Sequence, residues 1–302
     1  MIKKICLGTV QFGMDYGVAN KRGKVPPEEV FDILKYTARQ GIGFLDTAGA
    51  YGKSESLIGE CCRKEMLEFE IVSKLSSVEQ GSAEAEQFID KKLKCTLSDL
   101  GRESLYGYLI HSFKDFVRDP DIWDIFQALK KRKKLGKIGF SLYAREEAEF
   151  LEDRQIAFDI VQVPYSVFDR RFEPYFEKWR KKGIKIFARS VFLQGAAFMD
   201  PDKLKGILGK AGARLNRLNE LSKRYKIPLH AICLNFALLN PDVDHVIIGV
   251  DSLGQAKMNL AAVDYASEIQ DIMQDLRQLA IEDEDVLLPY LWSNYLMKKG
   301  IL

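Results

Sequence analysis

Four side chains able to hold or move a proton recur at a suggestive spacing: Asp46, Tyr51, Lys74 and His111. Asp46 ends the run Gly43-Phe44-Leu45-Asp46, Lys74 ends Ile71-Val72-Ser73-Lys74, and His111 ends Tyr108-Leu109-Ile110-His111. Tyr51 follows Asp46 by five residues. The steps of 28 residues from Asp46 to Lys74 and 37 from Lys74 to His111 are close to one β/α unit of a barrel, roughly 30 residues. On neighbouring parallel strands, these four groups would meet at one mouth and supply the parts of an acid–base site. Taken singly each has a plain reading: a solvated lysine, a packing tyrosine with a wet tip, a core histidine. Asp46 is different, because a carboxylate at the end of a buried strand needs a partner, and Lys74 can supply one.

The elements that position these groups alternate between short apolar runs and amphipathic stretches. Strands are expected at 5–8, 44–46, 70–74, 105–111, 137–141, 159–163, 184–188 and 245–248. Helices are expected at 28–40, 54–64, 82–100, 121–134, 145–153, 172–182, 214–225, 229–239, 252–263 and 267–281. Eight strands mostly separated by helices imply a parallel sheet covered by helices, and eight units suit a closed (β/α)8 TIM barrel. The rival is an open doubly wound sheet, which carries a Gly-rich first turn; no GxGxxG occurs. We expect a single domain over 1–302, with 283–302 as a C-terminal tail. Residues 192–213 form the longest stretch without an element, a length typical of a functional lid.

Composition narrows the class. The 302 residues carry a net charge of +2, with 47% hydrophobic and 29% charged residues, the balance of a globular protein. A nucleic-acid binder needs a stronger basic excess. No run approaches the ~18–20 apolar residues of a membrane span, and the N-terminus lacks the apolar region of a signal peptide. Five scattered cysteines without a CxxC pair point to a reducing, cytoplasmic setting. Gly52-Lys53-Ser54 imitates the end of a phosphate-binding loop, but Thr47 stands where that motif needs glycine. His111, His230 and His245 are too far apart for a metal pair at helical spacing, so no metal is expected.

Gly43-Phe44-Leu45-Asp46-Thr47-Ala48-Gly49-Ala50-Tyr51-Gly52, with Ser54-Glu55 and Ile58-Gly59, closely resembles the aldo-keto reductase signature. The segments ending in Lys74 and His111 resemble its next two catalytic segments. The likeness continues through Gly139-Phe140-Ser141, Val161 to Ser166, Asp169-Arg170-Arg171, Ser190, Gln194-Gly195 and Val246 to Gly249, reaching Asn259. It covers roughly 1–265 in family order. It implies a (β/α)8 barrel that binds NADP(H) without a Rossmann fold and exchanges hydride between nicotinamide and an aldehyde, ketone or sugar. It also implies that Tyr51 donates the proton, that Lys74 and Asp46 tune it, and that His111 orients the carbonyl. Electrostatics agrees with that division of labour. An ammonium ~4 Å from a phenol is worth about 4 kcal/mol at an effective dielectric of ~20. That is about three pKa units, so a phenol ordinarily near ~10 would titrate near ~7.

The resemblance also implies a cofactor set. Ser141 and Gln162 match the positions that hold the carboxamide, although Leu142 stands where asparagine is usual. Arg189 stands where an aromatic ring commonly stacks on the nicotinamide, and its planar guanidinium could stack instead. Thr9, Ser190, Leu193 and Gly195 belong with the cofactor and its pyrophosphate. Gly249, Asp251, Ser252, Gln255 and Asn259 belong with the adenosine. Asp251 is a carboxylate near the expected 2′-phosphate, which raises NAD(H) as the alternative to NADP(H). Tyr16, Phe113 and Tyr143, which follow strands at the catalytic end, are expected at the substrate wall.

Two other functions remain to be weighed. The same barrel can serve as a redox-responsive regulatory subunit with little turnover. A barrel glycosidase would need paired carboxylates, and Asp46 has no convincing second acid. The tail residues Tyr290, Trp292 and Tyr295 either cover the mouth or pack on the barrel flank.

Overall fold

Every expected strand forms, and the eight close on themselves. The computed structural model describes residues 1–77, 82–204, 206–288 and 291–292. The strands are β1 (Ile5–Gly8), β2 (Phe44–Asp46), β3 (Glu70–Leu75), β4 (Leu105–Ile110), β5 (Leu135–Ser141), β6 (Ile160–Pro164), β7 (Lys185–Arg189) and β8 (His245–Gly249). They pair in parallel in chain order, and β8 closes on β1. The register sets Gly8 beside Asp46 and Gly249, and Ser141 beside Gln162. The C-terminal ends of the strands therefore share one rim, the end at which barrel enzymes carry their chemistry.

The helices outside follow from sequence. Helix α1 (Val10–Gly13) is a single turn after β1. In α2 (Pro27–Arg39), proline at the first position presets φ, and Glu28 and Glu29 meet the positive end of the helix dipole. Val30, Ile33, Leu34 and Thr37 form its buried face. Helices α3 (Ser54–Glu65), α4 (Ser82–Leu100), α5 (Phe113–Arg118), α6 (Ile122–Lys131), α7 (Arg145–Asp153), α8 (Glu173–Lys181), α9 (Gly212–Tyr225), α10 (Leu229–Leu238) and α11 (Leu253–Ala261) complete the surrounding layer. Apart from His230 and Leu229, every residue of α10 is buried.

Several boundaries differ from the sequence reading. Helix α6 stops at Lys131 because Lys133 turns left-handed, with φ 58°, and Leu135 already pairs with Leu105 in the sheet. Helix α5 was not expected. The helix expected over 267–281 divides into α12 (Ala266–Asp271) and α13 (Met273–Arg277). The stretch 192–213 is built largely of short 3-10 turns at Leu193–Phe198, Pro201–Lys203 and Leu208–Ala211.

One small apolar cluster comes only from strands: Cys6, Val72, Leu109, Ile160, Phe187 and Ile247, with Phe44 and Tyr106 against it. The larger cluster lies between strands and helices and includes Trp292, which fits the packing reading of the tail. Tyr290 and Tyr295 lie outside the described residues. Among the described residues, no helix is long and apolar enough to cross a membrane, and no group of side chains could hold a metal ion.

Candidate active site

Asp46 and Lys74 leave adjacent strands and pair. Lys74 Nζ donates to Asp46 Oδ1 at 2.7 Å, to Oδ2 at 2.8 Å and to the Thr47 carbonyl at 2.9 Å. Its contact with the Tyr51 hydroxyl is 3.4 Å. Lys74 is only 1% exposed. Burial pulls its ammonium down, but Asp46 and then Tyr51 outweigh burial and leave it above the usual value. Gln162, from β6, donates its amide to Asp46 Oδ1 at 2.7 Å. The carboxylate thus binds the ammonium and a second strand at once.

The loop carrying Tyr51 is fixed by two glycines. A Cβ on Gly13 would stand 1.7 Å from the Tyr51 carbonyl oxygen. Gly52, with φ 56°, approaches Gly13 so closely that a Cβ would stand 2.5 Å from its oxygen. Only glycine fits such contacts, and a positive φ favours it further. Beneath the loop, Ser54 Oγ lies 2.8 Å from Thr9 Oγ1, and Thr9 donates to the Asp46 carbonyl at 2.9 Å. The Tyr51 ring meets His111 edge to face, with centroids 6.0 Å apart.

The electrostatics departs from expectation. Burial raises the Tyr51 phenol, and Lys74 only partly opposes it. The ammonium is shared with Asp46, whose own charge also pushes the phenol up. The free phenol therefore lies above its ordinary value, not near neutrality. His111 is pushed down to about 3 by burial, then by Lys74 and Arg189, and is a neutral imidazole at neutral pH.

A cavity of about 320 Å³ opens from Tyr51 and His111 toward the end of β8. Thr9, Ser141, Gln162, Arg189, Ser190, Gly195, Gly249, Asp251, Gln255 and Asn259 line it, as do Tyr16 and Tyr143. Four expected residues do not. Phe113 opens α5 and packs edge to face on Phe116, Phe140 and Phe150, because a ring at that position gains more from the core than from the mouth. Leu193 turns into the core at 2% exposure. Ser252 caps α11, accepting from the Gln255 amide at 3.1 Å. Lys74 also lies behind the wall, in contact with Asp46 and Tyr51.

Three buried polar atoms of lining residues, Ser141 Oγ, Gln11 Oε1 and Arg189 Nε, have no partner among the described residues. The loop after β7 closes the other side. Leu193, Gln194 and Gly195 all have positive φ, and a Cβ on Gly195 would stand 2.7 Å from the Ala19 Cβ. Val18 N donates to the Gln194 carbonyl at 3.1 Å, joining this loop to the one after β1. At the far end, Arg22 pairs with Glu29 at 2.9 Å and donates to the Asp251 carbonyl at 3.0 Å. The sequence reading missed Gln11 and Arg22. The position of Gln11 three residues past β1 was an available signal; Arg22 had none.

The family model for aldo/keto reductases matches residues 4–279. The chain belongs to the aldo/keto reductase family. No curated protein matches it. Among solved structures, an aldo-keto reductase from Bacillus halodurans in its holo form is 20% identical with a TM-score of 0.72, covering 94% of this chain and 95% of that one. A protein from Pseudomonas aeruginosa described as an aldo-keto reductase is 22% identical with a TM-score of 0.64, covering 88% and 90%. At these identities the likenesses speak to fold. Family membership supports an oxidoreductase acting on small carbonyl compounds, and aldo/keto reductases generally use NAD(P)H. The buried, unpartnered Ser141 Oγ at the rim fits a carboxamide.

Proposed function

We propose that this protein is a nicotinamide-dependent reductase of aldehydes, ketones or sugars in which Tyr51 donates the proton. The observation that carries the reading is that Asp46, Tyr51 and His111 line one cavity with Lys74 buried directly behind them, paired with Asp46 and in contact with Tyr51. A dihydronicotinamide held there would supply a hydride to a carbonyl carbon. The oxygen then gains charge, and a positioned donor lowers that barrier. Tyr51, protonated at neutral pH, gives its proton to this oxygen and passes briefly toward the phenolate, which Lys74 at 3.4 Å stabilises. Neutral His111 orients the carbonyl as a hydrogen-bond donor. Asp46 keeps Lys74 charged and aimed.

Ser141 and Gln162, paired neighbours on β5 and β6, would hold the carboxamide end, and Ser190 and Gly195 would meet the pyrophosphate. Gly249, Asp251, Gln255 and Asn259 would take the adenosine, with Ser252 fixing their helix. The family resemblance implies NADP(H). Charge at this end argues for NAD(H): Glu29 occupies Arg22, Lys257 lies over Tyr36 instead, and Asp251 lines the cavity. Two carboxylates against one guanidinium repel a 2′-phosphate, and an acid suits a free ribose hydroxyl. All five cysteines are unpaired, in keeping with a cytoplasmic protein. The test is turnover of a carbonyl panel followed at the dihydronicotinamide absorbance, with dissociation constants for NADH and NADPH. We expect turnover and tighter NADH binding. Binding without turnover on any carbonyl would favour the regulatory reading.

A further inference from the structure

Arg189 is the only lysine or arginine among the described residues lining the cavity. Its Nη2 donates to the Leu142 carbonyl at 2.7 Å, and its Nη1 to Ser190 Oγ at 3.3 Å. Its Cζ lies over the Tyr143 ring, 3.9 Å from the centroid. These three anchors are uncharged. Nε is buried and has no acceptor among the described residues. The carboxylates nearby are committed elsewhere. Asp46 serves Lys74 and Gln162, and Glu147 accepts the backbone N–H groups of Tyr143 and Ala144 at 2.6 and 3.1 Å. The mouth therefore holds a fixed, planar cation with an unused donor and, among the described residues, no carboxylate within ion-pair distance, although the charge of Glu147 is near enough to be felt. A partly buried cation with a buried, unused N–H is stabilised when an anion or a further hydrogen bond completes it, and a guanidinium matches a carboxylate in shape and charge.

The reacting centre lies within reach of this charge, since Arg189 helps to hold His111 low. Stacking on the nicotinamide explains the residue less well. Tyr143 already covers one face of the guanidinium, and the other face against an oxidised nicotinamide would bring two positive charges together. A carboxylate beside Arg189 removes that repulsion.

We propose that Arg189 anchors a carboxylate of the substrate, so that the preferred substrates are carbonyl acids in place of neutral aldehydes or sugars. The proposal rests on the reductase reading above. The other source of the same anionic chemistry is a phosphate of the dinucleotide, which the test separates.

The experiment compares 2-, 3- and 4-carboxybenzaldehyde with their methyl esters, using wild type, Arg189→Gln and Arg189→Lys, all checked for folding by circular dichroism. Benzoate and inorganic pyrophosphate are titrated calorimetrically into the same proteins without dinucleotide. For at least one isomer, the acid should exceed its ester at least tenfold in kcat/KM. That ratio should fall at least tenfold in Arg189→Gln and recover in part in Arg189→Lys. Benzoate binding should weaken at least tenfold in Arg189→Gln. Equal handling of every acid and ester by wild type, or a ratio unchanged by the substitution, overturns the proposal. So does Arg189-dependent binding of pyrophosphate but not benzoate, which assigns the residue to the cofactor. Absence of all turnover would contradict the reductase reading instead, and the benzoate titration would still decide the role of Arg189.

Discussion

A phenol serves carbonyl reduction only while it keeps its proton. Burial raises the Tyr51 pKa against the opposing pull of Lys74, so the donor form persists through neutral pH. Reduction should therefore hold level from pH 6 to 9 and fall only as pH rises through the phenol pKa above about 10. Alcohol oxidation needs the phenolate and should climb with pH over the same range. His111, held down to about 3, should add no inflection between pH 5 and 8. Profiles of kcat/KM in both directions check this, and a reduction limb falling near pH 7 would contradict it. Lys74→Met strands Asp46 with Gln162 as its remaining side-chain partner, and breaking a buried pair costs about 3–5 kcal/mol. Urea unfolding should show that loss; an unchanged midpoint would mean the pair is not a buried one. The Asp46–Lys74 pairing was legible in the sequence because both residues end apolar runs one unit apart. The sign of the Tyr51 shift was not, because it depends on burial and on Asp46 sharing the ammonium. The bond from Gln162 to Asp46 joins strands 116 residues apart and leaves no local trace.

Loops decide where the strand-end groups meet. Gly13 and Gly52 bring the Tyr51 loop against the first turn after β1, and this contact fixes the phenol more than any property of Tyr51 itself. Gly13→Ala forces a methyl group into backbone 1.7 Å away, so the loop must move. Overpacking of this kind typically costs about 1–3 kcal/mol, and a misplacement near 1 Å can cost about 10²-fold in rate. We expect lower thermal stability and at least a tenfold loss in kcat, measured by melting and steady-state kinetics. Near wild-type values for both would show that the loop has slack. Strand β2 and helices α4 and α7 match the sequence reading residue for residue, because turn residues bound their apolar patterns sharply. Helix α5 escaped notice because six residues carry too little periodicity. The overlong α6 reflects a run of lysines that favours a helix end while pairing with β4 claims the next residues for β5.

The closed barrel buries titratable groups at both ends, and this links its stability to pH. His245 lies among aromatic rings, 4.0 Å from Phe44 and 4.5 Å from Phe187 by centroid, and burial pushes it down to about 4. Between pH 6.5 and 4 the unfolded chain binds a proton at this residue that the folded chain refuses. Stability therefore falls as pH drops through that window, by up to about 3 kcal/mol, and His111 acts in the same direction. His245→Phe should flatten the dependence of urea midpoints between pH 4 and 6.5. An unaltered slope would remove His245 from this role. At this scale the sequence was most informative: the alternation of elements specified the barrel, and the family motifs specified its mouth. What it did not carry was charge placement across loops, such as Arg22 beside Asp251 or Arg189 laid on Tyr143.

Proton delivery by Tyr51 is tested by single-turnover kinetics of Tyr51→Phe. Dihydronicotinamide oxidation is followed by stopped flow at saturating carbonyl, alongside a dissociation constant for the dinucleotide. We expect a rate about 10²–10⁴-fold slower, with dinucleotide affinity kept within about twofold. A variant that oxidises its cofactor as fast as wild type would contradict it.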